Sequence, residues 1–397
     1  MKKPKIFTPN FIFKLCFWGF VIACSSLGAL IGFILTEIEN CFPSYFQNSI
    51  IITLFLIIVT IMFSMLIHEL AHLLKFISMG YKIRLFVLGP FNFCKESNKF
   101  KIKFKFNSII GVGGLVLPDI TEIKNINQFT KLKRDYAQAM IIAPIISAIQ
   151  GLISLLFILF LLPKTIETIH STLFTIFITS FFSAIYINII SLTNISGAMG
   201  DYIAFKAFKY NDTFAAYQLY TYATLSTKKE SVRNNSNVIK DILISNFKSE
   251  CSLKNFDSLT CLIIDLFLYE SLSNDIELPN IILKYINYFI ENIDSFTSKI
   301  PLESYYIMTV HIILYLSKIN IEKSKIIWSK VKDKIPNNKI GKYYINQIEN
   351  IIFNNTTKTN LRDKNNITLS SIDPICCVLD NYYDDEIKLN TKFNIKF

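Results

Sequence analysis

The strongest constraint on this chain is an apolar stretch, Ile50–Ile67, that runs without a break into His68-Glu69-Leu70-Ala71-His72. Threonine and serine supply the only polar side chains of the stretch, and no glycine or proline follows until Gly80. About 18 apolar residues are enough for a helix to cross the hydrocarbon core of a bilayer. The sequence therefore predicts a membrane-spanning helix that carries two imidazoles and a carboxylate at one end.

The spacing of these ionisable residues predicts a metal site. On a helix, His68 and His72 lie one turn apart on the same face, with Glu69 beside them. This is the His-Glu-x-x-His pattern of zinc hydrolases, in which two imidazoles hold the ion and the glutamate handles the proton of its bound water. The pattern also occurs by chance, but ionisable groups are costly in a membrane segment and are functional there by default. We therefore expect Zn2+ here, with His68 and His72 as ligands and Glu69 as the catalytic base.

The composition places the chain among membrane proteins. Hydrophobic residues make up 51% of the 397 residues, with 35 phenylalanines. The formal net charge of +11 fits a cytoplasmic membrane surface, and no helix-turn-helix or zinc-finger signature occurs, so we expect no nucleic-acid partner. The eight cysteines include no C-x-x-C pair, which argues against a disulfide framework or a zinc knuckle. The frequent Ile, Asn and Lys residues are typical of a bacterium with an AT-rich genome.

Apolar runs and charge together predict a four-span topology. The segment Glu37–Asn48 contains no Lys or Arg, whereas Lys75–Arg134 contains twelve. By the positive-inside rule the first segment lies outside and the second in the cytoplasm. We therefore expect a multi-pass protein of the cell membrane, embedded in the lipid bilayer, with both termini in the cytoplasm. The four predicted spans are Phe11–Thr36, Ser49–Met79, Tyr136–Leu162 and Thr168–Thr193.

Between the second and third spans the chain predicts β structure. Tyr81–Leu88 and Asn98–Asn107 are predicted strands, and Gly111–Gly114 is predicted as a flexible stretch. In the second strand four lysines alternate with phenylalanine and isoleucine, which gives one basic and one apolar face. Two interpretations remain open. The strand belongs to an interfacial hairpin with aromatic side chains in lipid and lysines on phosphates, or it offers an edge to an extended substrate backbone, and the two roles are compatible.

After Tyr202 the apolar runs shorten to helical patches separated by polar connections rich in Asn and Lys. The expected fold is an α-helical membrane protein: four transmembrane helices with a small membrane-associated β segment, then a soluble all-α cytoplasmic domain that can bind a protein partner. No dependable 34-residue period supports a helical repeat, which stays open as an alternative. The predicted domains are residues 1–48 (N-terminal transmembrane helix and external loop), 49–202 (metal-binding membrane core), 203–355 (cytoplasmic helical domain) and 356–397 (polar linker and C-terminal tail).

A catalytic zinc normally has three protein ligands and keeps its fourth position for water. Asp201 is the candidate for the third ligand because it follows the fourth span and lies five residues before Lys206, at a depth comparable to that of His72. His170 lies at the outer end of its span, and His311 lies on an amphipathic soluble helix. Neither of these two histidines is therefore expected at the site.

Asn194 is a further candidate near the end of the fourth span. It precedes Asp201 by seven residues, so both side chains project from one face if the helix continues through them. A carboxamide there can donate to a developing oxyanion in a dry site. A hydrogen bond between helices is the alternative role for this side chain.

These features together resemble the site-2 protease family of intramembrane zinc metalloproteases. Members of that family have the His-Glu-x-x-His motif near the cytoplasmic end of one span, a β-rich membrane-associated segment, a middle span, and a later span that ends in an Asn-x-x-Pro-…-Asp-Gly motif. The resemblance covers about residues 49–202. It implies these assignments: zinc ligands His68, His72 and Asp201, catalytic base Glu69, and motif asparagine Asn194.

The chain departs from the family pattern around Asp201. Gly197 stands where the proline is usual, and Tyr202 follows Asp201 where a glycine is usual. Asn194 and Asp201 are also seven residues apart, where eight is more common. Gly200, just before the aspartate, is expected to supply the backbone freedom that the following glycine would give.

The function predicted from these features is zinc-dependent endopeptidase activity within the membrane, near its cytoplasmic face. The expected substrates are single-span membrane proteins or hydrophobic peptide precursors. Two alternatives remain. One is a catalytically inactive, protease-like scaffold whose helical cytoplasmic domain binds a partner. The other is a different membrane zinc protease whose third ligand is a glutamate on a later helix.

Overall fold

The computed structural model describes residue 48 and residues 50–353, apart from short gaps. The gaps are 97–98, 105–113, 121–122, 163–166, 196–197, 228–230, 232–233, 301 and 338. The predicted first span, Phe11–Thr36, and the predicted C-terminal tail lie outside the described residues.

Three of the described helices are long and apolar enough to cross a membrane. They are α1 (Ile50–Ser78), α2 (Ile126–Leu156, continued by a π-helical turn, Phe157–Leu161) and α3 (Glu167–Ser191). They correspond to the second, third and fourth predicted spans. Most of their apolar side chains are not covered by protein, as expected for helices whose outer surface faces lipid rather than water.

The membrane helices pack side by side with alternating direction. α2 is antiparallel to α1, and α3 is antiparallel to α2. The α1–α2 contacts are Ser64–Gln150, His68–Ser147 and His72–Ala139, and the α2–α3 contacts are Ser154–Ser180 and Phe157–Phe177. At Gly151 a side-chain Cβ would lie 2.9 Å from that of Ala184, so a small residue is needed where the α2 and α3 backbones approach.

A small sheet follows α1 in the sequence. Its strands are β1 (Ile83–Leu88), β2 (Phe91–Glu96), β3 (Lys99–Phe104) and β4 (Gly114–Pro118), in the spatial order β3-β2-β1-β4. β1 and β4 are antiparallel, with Leu88 opposite Gly114.

The predicted strands correspond to β1 and β3, whereas the sequence indicated neither β2 nor β4. β4 is apolar without alternation and begins in a run of glycines, which suggested a flexible stretch. It is a strand because its backbone pairs with β1, a contact between residues that are distant in the sequence.

The chain does not continue as a helix from α3 to Asp201, as the sequence had suggested. α3 ends at Ser191, and a two-stranded hairpin of β5 (Asn194–Ile195) and β6 (Ala198–Met199) precedes α4 (Asp201–Tyr210). The helical-face relation predicted between Asn194 and Asp201 is therefore wrong. The hairpin closes with a hydrogen bond from the Gly200 N–H to the carbonyl oxygen of Thr193, at 2.9 Å.

The rest of the described chain is helical. Its helices are α5 (Asp212–Thr224), α6 (Asn237–Ser245), α7 (Ser258–Asn274), α8 (Asn280–Glu291), α9 (Ile293–Phe296), α10 (Glu303–Ile319), α11 (Ile321–Val331) and α12 (Lys339–Phe353). Side chains of Asn211, Asp257 and Asn320 accept hydrogen bonds from the first turns of α5, α7 and α11, so these starts are encoded by local capping residues.

The chain divides into two compact units. Among the residues that the structure describes, the membrane unit comprises those up to Phe93 together with Ile102–Pro118 and Arg134–Tyr210, and it therefore contains α1, most of α2, α3 and α4. The helical unit is Cys94–Lys101, Asp119–Lys133 and Asn211–Phe397, of which the structure describes residues up to 353. Its core includes a cluster of buried aromatic rings, among them Phe256, Phe289 and Phe296.

Candidate metal centre

The buried face of α1 carries both histidines, the glutamate and two hydroxyl side chains of that helix. On a helix surrounded by lipid the apolar side chains point outward, and polar groups are stable only where protein surrounds them. Five of the six buried side chains recur every four residues, which places them in one stripe along the helix. The buried residues are Thr60, Ser64, His68, Glu69, His72 and Phe76.

Two imidazoles on this stripe meet one carboxylate. His68 Nε2 lies 2.9 Å and His72 Nε2 lies 3.5 Å from the same oxygen, Asp201 Oδ2. The two rings are nearly perpendicular, with their centroids 5.1 Å apart. Within the described part of the chain, these three residues form the group of possible metal ligands. Each offers one ligand atom, and the three atoms lie within 4.8 Å of one another.

The second nitrogen of each imidazole has its own partner. His72 Nδ1–H donates to the carbonyl oxygen of Ala139 at 2.7 Å, and His68 Nδ1 lies 2.9 Å from Ser147 Oγ. A carbonyl oxygen can only accept, so the proton of a neutral His72 is on Nδ1 and its Nε2 presents a lone pair. Partners of this kind fix the tautomer and ring orientation of histidines that bind metals.

The donor set fits a divalent cation. The lone pair of His72 Nε2 faces a carboxylate oxygen, and two acceptors at 3.5 Å repel each other unless a cation lies between them. Nitrogen and carboxylate ligands are those that zinc prefers, and three protein ligands leave a position for water.

Asp201 is the first residue of α4, and close packing against the end of α3 holds it there. At Gly200 a Cβ would lie 2.5 Å from the carbonyl oxygen of Ser191, so any side chain would push the two segments apart. Ser191 Oγ donates to Asp201 Oδ2 at 3.4 Å. Gly200 is thus required for its lack of a side chain and not, as predicted, for backbone freedom, because its φ is not in the left-handed region.

Glu69 is buried beside the two histidines and is covered by the first residue of β4. A Cβ at Gly114 would overlap the Cγ and Cδ atoms of Glu69, so a larger residue there would displace the glutamate side chain. No local sequence pattern indicated this contact or the roles of Ser147 and Ala139 as partners of the imidazoles. The glycine run that ends at Gly114 was the one feature of the sequence that pointed to the contact with Glu69.

The sequence raised three further residues, Asn194 as a candidate and His170 and His311 as histidines not expected at the site. Asn194 lies in β5 of the hairpin, and its side chain is outside the described part of the structure. His170 is near the start of α3, whereas Asp201 follows the opposite end of that helix. His311 contacts Asp265 in the helical unit, with Nδ1 2.5 Å from Oδ1.

Comparison with known proteins gives one match. The sequence model of peptidase family M50 matches residues 56–319, about two thirds of the chain, which include both histidines, the glutamate and Asp201. No curated protein and no solved structure matches the chain.

Proposed function

The chain belongs to peptidase family M50, the site-2 protease family of membrane metalloproteases, and on this basis we propose that it is a zinc-dependent endopeptidase that cleaves peptide bonds within the membrane. The observation that carries the proposal is the convergence of His68, His72 and Asp201 on one point inside the membrane unit. These three side chains would hold the ion. A zinc ion bound there would polarise the scissile carbonyl and lower the pKa of its water.

Glu69 is the proposed general base. It would accept a proton from the attacking water and deliver it to the leaving amine, a role for which buried carboxylates near a metal are suited. Its side chain packs closely against Gly114, which supports a fixed role in proton transfer. Asn194 is proposed as a donor to the developing oxyanion, supported by its location in the hairpin that leads directly into Asp201.

The proposed substrates are single-span membrane proteins or hydrophobic peptide precursors. A transmembrane helix hides its carbonyl groups in backbone hydrogen bonds, so the substrate must unwind locally before it can be cleaved. An unwound segment can be held by adding a strand to the edge of a sheet. β3 and β4 are the outer strands of the described sheet, and β4 is the one that contacts Glu69. We therefore assign the substrate-binding edge to β4 instead of β3.

The proposed orientation follows from charge. The metal-binding end of α1 lies three residues before Lys75, where the strongly basic segment begins, so we propose that cleavage occurs near the cytoplasmic face. Four spans, cytoplasmic termini, the predicted domain boundaries and a protein partner for the cytoplasmic helical domain are part of the same proposal.

The departure at Tyr202 does not favour the scaffold alternative. Tyr202 Oη donates to Asn188 Oδ1 at 3.1 Å, which joins the start of α4 to the last part of α3. Tyr202, which stands where the family pattern has glycine, therefore helps to hold Asp201 in position. For Gly197, which lies outside the described residues, the structure offers no explanation.

The test combines a metal count with a cleavage assay. The protein is purified in nanodiscs and assayed with a single-span reporter substrate, and its zinc content is measured by mass spectrometry. We expect about one zinc per chain, and Glu69→Gln should keep the zinc but lower the cleavage rate ~10²–10⁴-fold, the usual contribution of general acid–base catalysis. Glu322→Gln, on the surface of the helical unit, is the control and should behave like the wild type. A wild-type chain without zinc would favour the scaffold, and normal cleavage by Glu69→Gln would exclude Glu69 as the base.

A further inference from the structure

Three buried aromatic rings form a continuous row in the membrane unit. Phe76, Tyr136 and Phe208 are 0%, 1% and 2% exposed. The centroids of Phe76 and Tyr136 are 5.0 Å apart in an edge-to-face arrangement, and those of Tyr136 and Phe208 are 5.3 Å apart and tilted. Both geometries are favourable for aromatic pairs.

Each ring belongs to an element that also supplies one part of the metal centre. Phe76 follows His72 by four residues on α1, and Phe208 follows Asp201 by seven on α4. Tyr136 precedes Ala139, the partner of His72, by three residues on α2. Spacings of three, four and seven place residues on the same face of a helix. The ring row therefore joins the same three helix faces as the metal centre, one or two turns away.

α4 needs such an anchor. It has ten residues, and helices this short are marginal in water unless tertiary packing holds them. Its buried side chains within the described structure are Ala204 and Phe208, so Phe208 is its one large buried contact. Without an ion, the lone pair of a neutral His72 and the Asp201 carboxylate repel each other, so of the two imidazoles only His68 can hold Asp201 in place.

We propose that Phe76, Tyr136 and Phe208 form an aromatic clasp that positions Asp201 against His68 and His72 before metal binds. Phe208 is then a positioning residue for the third ligand and acts through α4 without touching the ion. Tyr81 extends the clasp, since its ring packs on Phe76 and its hydroxyl donates to Asp135 Oδ2 at 2.8 Å, next to Tyr136 in the chain. The clasp rests on the metal site of the proposed function.

The experiment measures metal affinity instead of cleavage. Co2+ is titrated into metal-free wild-type protein in nanodiscs against a competing chelator, and its visible spectrum reports the number of ligands. We expect Phe208→Ala to lower the affinity 10–100-fold, the range found for residues that orient metal ligands. Phe208→Leu, which keeps most of the volume, should recover part of the loss. Phe177→Ala is the control, because it removes an aromatic partner (stacked on Phe157) from the same unit away from the clasp, and it should bind Co2+ like the wild type.

A double variant tests whether the rings act as one unit. If they do, the double variant Phe76→Ala, Phe208→Ala should lower Co2+ affinity by a smaller factor than the product of the factors measured for the two single variants. If Phe208→Ala does not fold, Phe208→Leu and Phe76→Leu carry the same comparison. Wild-type affinity in the Phe208 variants, or an equal loss in Phe177→Ala, would overturn the clasp. Failure of the wild-type protein itself to bind Co2+ or zinc would instead overturn the proposed function.

Discussion

A histidine contacts an aspartate in both units of this protein, and the two contacts differ in what surrounds them. In the membrane unit His68 Nε2 lies 2.9 Å from Asp201 Oδ2, and in the helical unit His311 Nδ1 lies 2.5 Å from Asp265 Oδ1. Both histidines are buried, and both aspartate side chains are about one-fifth exposed. The pair alone therefore does not distinguish a metal centre from a structural contact.

The surroundings make the distinction. A second imidazole, His72, shares the oxygen of Asp201, and the Nδ1 atom of each imidazole there has a partner. His311 has aromatic rings as neighbours, Tyr269 at 5.6 Å and Tyr344 at 5.7 Å between centroids. A single proton satisfies one histidine–aspartate pair, whereas two imidazoles and a carboxylate that converge on one point match the ligand set of a divalent cation. The number of converging ligand groups separates the two sites.

The largest expected effect comes from removing the aspartate of each pair. Asp201→Ala should abolish cleavage and lower zinc affinity by more than ~100-fold. Loss of a ligand should cost more than loss of a residue that hydrogen-bonds to a ligand, which lowers metal affinity ~10–100-fold. Asp265→Ala should keep full zinc content and cleavage and destabilise the helical unit by about 1–3 kcal/mol, the cost of leaving a buried partner unpaired. Metal analysis, cleavage assay and urea unfolding measure these effects. Loss of zinc from Asp265→Ala, or its retention by Asp201→Ala with full activity, would contradict the comparison.

A smaller effect is expected at the strand that covers Glu69. Gly114→Ala should lower the cleavage rate about 100-fold with normal zinc content, because displacing a catalytic group by ~1 Å has effects of this size. Gly151→Ala is the matched control. Its new Cβ meets Ala184 at the α2–α3 contact and should cost stability without a specific loss of rate. A Gly114→Ala protein with wild-type kinetics would mean that the glutamate moves freely.

Ser147 should have a weaker effect, limited to metal affinity. Ser147→Ala removes the partner of His68 Nδ1 and should lower zinc affinity about tenfold, the low end of the range for such partners. Ser154→Ala, one of the buried serines further along α2, removes a hydrogen bond to Ser180 and should leave affinity unchanged. Chelator competition measures both variants. Equal losses in the two would indicate a general effect on helix packing.

The smallest effect is expected on the surface of the helical unit. Glu322 and Lys325 form an exposed i,i+3 ion pair with 2.8 Å between Oε1 and Nζ. Glu322→Gln should change the free energy of unfolding by less than about 0.5 kcal/mol, because water and salt screen such pairs. Chemical denaturation checks this value. A larger change would mean that the pair belongs to a wider network.

Local patterns predicted the three membrane helices that the structure describes and the helical character of the second half. Length and apolarity define a span, and capping residues such as Asn211 and Asp257 start helices through contacts three residues away. The hairpin before Asp201 was missed because the short segment has no strand pattern of its own. Its conformation depends on the close approach of Gly200 to the end of α3.

The sequence by itself determined which side chains were candidates for chemistry, because a spacing of four places His68 and His72 on one helix face whatever the rest of the fold does. It also singled out Asp201 by its depth relative to the basic residues that follow. Only the tertiary structure decided how these groups are arranged. The hairpin places Asp201, the first residue of α4, next to the histidines. Gly114 covers Glu69, and Ala139 and Ser147 orient the imidazoles. Each of these contacts joins residues that are distant in the chain, and their positions depend on how whole helices and strands pack against one another.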